Sequence, residues 1–204
     1  MVCMRGKLIC FEGIDGAGKE TQVKLLLKFL KGKASVYKYP DARSEFGRVI
    51  DAFLKRRIEL SPFSQFLVYM MDIAREQGRI EEELRRGKVV ILNRYVFSTI
   101  AYQCSKGIPF RKGVEMVESM NFIKPDLVVL LDVAPEVSVE RKRKQKKVDR
   151  HEADLGLLRK VRKNYLRLMR KRFLARKWVK VNAKRKQEEV FENVKGFIVQ
   201  LLNK

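Results

Sequence analysis

One stretch limits what this chain can fold into more than any other: Gly13-Ile14-Asp15-Gly16-Ala17-Gly18-Lys19-Glu20-Thr21. It follows a short apolar run, Leu8–Glu12, and precedes Lys19–Lys31, where Val23, Leu26, Leu27 and Leu30 recur at helical spacing. Gly-x4-Gly-Lys between a strand and a helix is the context in which a glycine loop binds phosphate. Glycines let the backbone curl so that successive N–H groups point at anionic oxygens. The helix opening near Lys19 adds its positive N-terminal end, and Lys19 supplies a compact charge for the β- and γ-phosphates of a nucleoside triphosphate.

The rest of the chain alternates in the same manner. Ser35–Tyr39 reads as a second strand closed by Pro40, and Phe46–Arg57 as an amphipathic helix. Ser61-Pro62 has the form of an N-cap and first-turn proline, which predicts one long helix to about Arg86 with Gly87 as its stop. Lys88–Asn93 and Asp126–Asp132 are strands, Pro135–Lys144 and Leu157–Lys171 helices, Trp178–Asn182 a last strand and Gln187–Leu202 a last helix. Strands apolar on both faces and separated by helices imply a parallel sheet covered on both sides, an α/β fold. The 204 residues fit one domain. The polar, basic stretch Arg141–Asp154 interrupts a helical pattern and reads as a mobile lid.

The formal net charge is +22, and it is uneven: Arg141 to Lys186 holds 21 Lys/Arg against three acids. A basic half invites nucleic acid. A solvated helical surface, with some of the charge serving a polyphosphate substrate, is the reading preferred over a nucleic-acid partner. Cys3, Cys10 and Cys104 lack any paired spacing and suit buried thiols in a reducing compartment. No apolar run reaches the ~20 residues that span a bilayer, and the expected location is cytoplasmic.

After the Lys88–Asn93 strand come Arg94, Tyr95, Ser98, Tyr102 and Gln103. Polar residues past the carboxyl end of a parallel strand sit where open α/β sheets bind ligands. Arg94 suits a bidentate phosphate clamp, and Arg43, after Tyr39-Pro40, is a second candidate.

Taken together, these residues resemble the thymidylate kinase family. The resemblance is carried by Phe11–Lys19, Tyr39-Pro40-x-x-Arg43, and Asn93-Arg94-Tyr95-x-x-Ser98-x-x-x-Tyr102-Gln103. Lys124-Pro125-Asp126-Leu127, Leu131-Asp132-Val133 and Asp149-Arg150-x-Glu152 ahead of Val161-Arg162-x-x-Tyr165 extend it nearly end to end. It implies a P-loop NTPase fold with a five-stranded parallel sheet and a lid, transfer of the γ-phosphoryl of ATP to dTMP, Mg²⁺ with ATP, and a homodimer. It implies that Gly13, Ile14, Asp15, Gly16, Ala17, Gly18, Lys19, Glu20 and Thr21 bind ATP. Lys19, Arg94 and Arg150 are then catalytic. Asp15 meets the sugar 3′-hydroxyl and Arg43 with Arg94 holds the acceptor phosphate. Tyr39 and Pro40 pack beside the nucleotide, Ser98 and Gln103 line the base pocket, and Tyr102 belongs to the same acceptor site. The acceptor is a phosphate oxygen ionised near neutral pH, so no general base is needed, and a lone His151 in the lid is most simply solvated.

The sequence departs from the family pattern in three respects. Glu20 stands where Ser or Thr binds the metal, and Asn93 where an Asp precedes the Arg. One carboxylate is thereby exchanged for another, which makes Glu20 the candidate Mg²⁺ ligand, directly or through water. The aromatic and Arg that the family places on the long helix fall on Val68 and Asp72 in one register and Tyr69 and Ile73 in the other, neither reaching Arg75. The alternatives are a kinase for another pyrimidine monophosphate, or a catalytically weakened protein that binds nucleic acid through its basic half.

Overall fold

The computed structural model describes residues 5–144 and 154–203. Among them five strands, β1 (Leu8–Glu12), β2 (Ala34–Lys38), β3 (Val89–Asn93), β4 (Leu127–Asp132) and β5 (Trp178–Asn182), form one sheet in the order β2-β3-β1-β4-β5. Every neighbouring pair is parallel. β1 lies in the middle, and Leu8, Ile9, Cys10 and Phe11 are fully buried, as a run apolar on both faces demands. Phe11 pairs with Asn93 and Glu12 with Leu130, so β1, β3 and β4 end nearly level. The order reverses about β1, and the crevice outside its carboxyl end is the place such sheets reserve for ligands.

The helices are α1 (Lys19–Phe29), α2 (Glu45–Leu54), α3 (Pro62–Ala74), α4 (Gln77–Arg85), α5 (Val96–Gln103), α6 (Phe110–Glu118), α7 (Pro135–Lys144), α8 (Leu155–Arg170) and α9 (Gln187–Leu202). α1 packs with α9, while α5 packs against α3, α6 and α8. The expected long helix from Ser61 is two helices. Ser61 does cap α3, accepting from the Ser64 N–H at 3.0 Å. The break comes where the Gln77 side chain donates to the Ile73 carbonyl at 3.2 Å, taking the acceptor a continuous helix would use for its own N–H. α5 and α6 were not anticipated: every α5 residue except Ser98 is buried, so it lacks a polar face. Asp154 caps α8, accepting from the Leu157 N–H at 2.9 Å. Residues 145–153 of the expected lid lie outside the described residues, Arg150 and His151 among them.

Candidate active site

The glycine loop leaves β1 through backbone only glycine enters readily. Gly13 and Gly16 take φ of 144° and 74°. A Cβ on Gly13 would lie 2.5 Å from the Leu131 carbonyl oxygen, and one on Gly16 2.8 Å from that of Ser138. β4 and α7 therefore pass too close for a side chain at either place. Lys19 folds back into the loop, its Nζ donating to the carbonyls of Gly13 and Ile14 at 2.9 Å each. Burial lowers the Lys19 ammonium to about 7; the charge of Arg94 pushes the same way, while Asp15 and Glu12 oppose it.

Arg94 stands opposite. Its φ of 71° turns the chain sharply from β3 into α5. The guanidinium then reaches back over the loop, donating to the Gly13 carbonyl and the Ser98 hydroxyl at 3.2 Å each and to the Asp15 carboxylate. Burial works against its charge, but Asp15 in particular keeps it firmly protonated. Burial likewise works to raise Asp15, and Arg94 with Lys19 overcomes it, holding the carboxyl well below the usual range. The Tyr102 hydroxyl donates to the other Asp15 oxygen at 2.5 Å.

Behind Arg94 lies a fully buried carboxylate that the sequence reading did not single out. Glu12 accepts from the Tyr95 N–H at 2.8 Å, the Ser98 hydroxyl at 2.6 Å and the Tyr165 hydroxyl at 2.9 Å. Burial pushes its carboxyl upward, against the pull of Arg94 and these hydroxyls. Glu12 thus ties β1 to α5 and α8 directly beneath the clamp. Its position inside an otherwise apolar strand was the available signal.

Two cavities flank the loop. One of about 350 Å³ lies between α3 and α5. Asp15, Tyr39, Pro40, Arg94 and Ser98 line it, together with Tyr69, Ile73 and Gln103. Tyr102 and Lys142 of α7 border it as well. The second, of about 260 Å³, is walled by Gly16, Gly18, Thr21, Gln22, Arg141 and Gln187. Arg141 bridges it, donating to the carbonyls of Ala183 at 2.8 Å and Gly16 at 3.4 Å. The glycine loop thus separates the two cavities, with Asp15 and Arg94 lining the first and Gly16 to Gly18 the second.

Most of the expected site residues among those described come together here, and Arg43 and Glu20 do not. Arg43 lies outside the α3–α5 cavity, in a neighbouring cleft along β2, with its side chain 92% exposed and 3.2 Å from Asp41. Arg150 lies outside the described residues. Glu20 turns its carboxylate to the surface, 3.4 Å from Lys38 and 3.5 Å from Lys24, and Lys38 above all holds it below the usual range. Of the two registers on the long helix, Tyr69 and Ile73 face the cavity. Asp72 is instead a buried anchor, accepting from the Ser44 hydroxyl and the Asp41 N–H.

Among the described residues no cluster of three or more His, Cys, Asp or Glu is placed to hold a metal. The exposed lysine pairs of Glu20 are each worth about 0–1 kcal/mol, so exchanging them for a hydrated cation costs little.

A family model described as Thymidylate kinase matches residues 11–194. A probable thymidylate kinase of Archaeoglobus fulgidus is 41% identical over 202 residues, covering 96% of each chain. A thymidylate kinase of Caldanaerobacter subterraneus is 37% identical, covering 82% of this chain and 83% of its own. The solved structure of the Candida albicans thymidylate kinase aligns with a TM-score of 0.83 at 25% identity, covering 98% of this chain and 93% of that one.

Proposed function

The chain belongs to the thymidylate kinase family, transferring the γ-phosphoryl group of ATP to dTMP to give dTDP, and we propose how its own residues divide that work. The observation that carries the proposal is the glycine loop between the two cavities, with Asp15 paired to Arg94 on one side and Gly16 to Gly18 walling the other. ATP occupies the cavity beside α1 and α9, with its phosphates along the backbone from Gly13 to Gly18 and Lys19 turned toward them. The acceptor enters between α3 and α5. Arg94 takes its phosphate, Asp15 its sugar hydroxyl, and Tyr39 and Pro40 close the near side. Arg43 reaches the acceptor phosphate when both nucleotides are bound, and Arg150 is assigned to the phosphates by the resemblance alone.

Catalysis is alignment and charge neutralisation. An ionised phosphate oxygen attacks without a base, so the buried groups only need to hold the two phosphates in line. Glu12 positions Arg94 through Ser98 and Tyr165. Mg²⁺ bound with ATP supplies charge neutralisation at the phosphates, and Glu20 is the residue that would hold it, through water. Metal dependence of the family kinase reaction supports the ion in general terms, and the exposed, weakly paired Glu20 supports its site.

The whole chain acts as one kinase domain, a homodimer in the cytoplasm. For the dimer, the support is an exposed apolar stripe on α3, Phe63, Leu67 and Met71 at i, i+4, i+8, beside exposed Val49 on α2. For the location, among the described residues no helix is long and apolar enough to cross a membrane. A coupled assay offering ATP with dTMP, dUMP, UMP and CMP in turn tests the reading. Turnover favouring dTMP supports it, and turnover favouring UMP or CMP overturns it.

A further inference from the structure

On the reading that the α3–α5 cavity takes the acceptor nucleotide, we propose that Lys106 is a specificity-determining residue that selects 4-oxo over 4-amino pyrimidines. α5 runs away from the Arg94 clamp. Gln103 lies one turn beyond Thr99, roughly 6 Å further along, and the Lys106 N–H donates to the Gln103 carbonyl at 3.0 Å. Thr99, Gln103 and Lys106 line the end of the cavity remote from the phosphate clamp. Leu54 and Ile73, which offer no hydrogen bond, and Tyr69, which carries a hydroxyl, line the cavity as well.

Gln103 is 1% exposed, and its Oε1 has no hydrogen-bond partner among the described residues. A buried amide oxygen in that condition is complementary to a ligand donor. An amide alone cannot choose the base, however. By turning over it presents either its oxygen to the N3–H of a 4-oxo pyrimidine or its NH₂ to the bare N3 of a 4-amino one. An ammonium can only donate. Lys106 therefore meets a carbonyl at C4 favourably and an amino group unfavourably, and so sets the polarity that Gln103 follows.

Lys106 also borders a neighbouring cleft of about 420 Å³ lined by Phe53, Gln65 and Lys160. The Lys106 Nζ donates to Gln65 Oε1 at 2.7 Å, and the nearly buried Gln65 donates in turn to the Leu60 carbonyl at 2.7 Å. It also lies 5.7 Å from the centre of the Phe53 ring. The competing role is a purely structural tie between the end of α5 and α3.

Steady-state kinetics of the full chain with ATP and dTMP, dUMP or dCMP separate the two. For poor acceptors, inhibition against dTMP replaces KM. Lys106→Met should lose roughly tenfold or more in kcat/KM for dTMP and dUMP, the loss falling on KM, with no loss for dCMP. Lys106→Arg should keep the preference. An equal loss for all three acceptors, or no change, overturns the assignment. Should Lys106→Met melt early, Gln65→Met, which releases the ammonium from its anchor, must show the same split more weakly; an unsplit Gln65→Met overturns it as well. A wild-type chain that turns over no dTMP removes the acceptor-site reading and this assignment with it. An active wild type with unsplit variants removes the assignment alone.

Discussion

The Arg94 guanidinium and the Asp15 carboxylate are hydrogen-bonded across the crevice, joining the residue that follows β3 to the glycine loop that follows β1. Both side chains are largely enclosed, at 15% and 23% exposure, so neither charge is well screened. The pair holds the clamp in place before a phosphate arrives. Arg94→Lys keeps a charge but cannot reach Asp15, Ser98 and the Gly13 carbonyl together. The expected outcome is a fall in kcat/KM for the acceptor of about 100-fold or more, with thermal stability little changed, read by steady-state assay and melting curves.

Lys19 supplies a pH signature. Burial, reinforced by Arg94, lowers its ammonium to about 7 in the free protein. Nucleotide phosphates favour the charged form and raise it again. Below pH 7 the lysine already carries its proton, and ATP binding takes up none. Above it, binding takes up as much as one proton, so affinity falls as pH rises, by up to about tenfold per pH unit. Calorimetry in buffers of different ionisation enthalpy, about a unit either side of neutrality, counts the protons directly.

Glu20→Ser restores the hydroxyl that the loop position normally carries but leaves Asn93 uncharged. If Glu20 holds the hydrated cation, the Mg²⁺ concentration for half-maximal activity rises several-fold. Full activity with an unchanged Mg²⁺ dependence would sink the idea.

Leu67 and Met71 are 37% and 47% exposed on adjacent turns of α3. In the proposed dimer they are covered. Leu67→Glu with Met71→Glu places charge in that face and should leave a monomer by light scattering, where the unaltered chain has twice the monomer mass. A monomeric unaltered chain contradicts the assignment.

The parts of this molecule that were readable in advance are those set by local pattern. β1, β3 and β4 are continuous apolar runs because both of their faces are covered, and Gly13–Lys19 shows the backbone demands of the loop in its glycines. α5 escaped notice for the opposite reason: a short helix buried nearly all round has no periodic polar face. At the helix break beside Arg75 the Ile73 carbonyl accepts from the Gln77 side chain and the Glu76 N–H, a pairing that sequence periodicity does not show. Glu12 was visible as a residue but not as a hub, since its partners Tyr95, Ser98 and Tyr165 lie 83 to 153 positions away. The register on α3 settles on Tyr69 and Ile73 because Asp72 is consumed in anchoring Ser44 and Asp41.

The central claim is that two phosphates meet in line at Lys19 and Arg94. ³¹P NMR of the chain mixed with ATP, dTMP and Mg²⁺ tests it most directly. The account predicts dTDP and ADP appearing in equal amounts with no inorganic phosphate. ATP consumed to ADP and inorganic phosphate without dTDP, or no consumption of ATP at all, would contradict it.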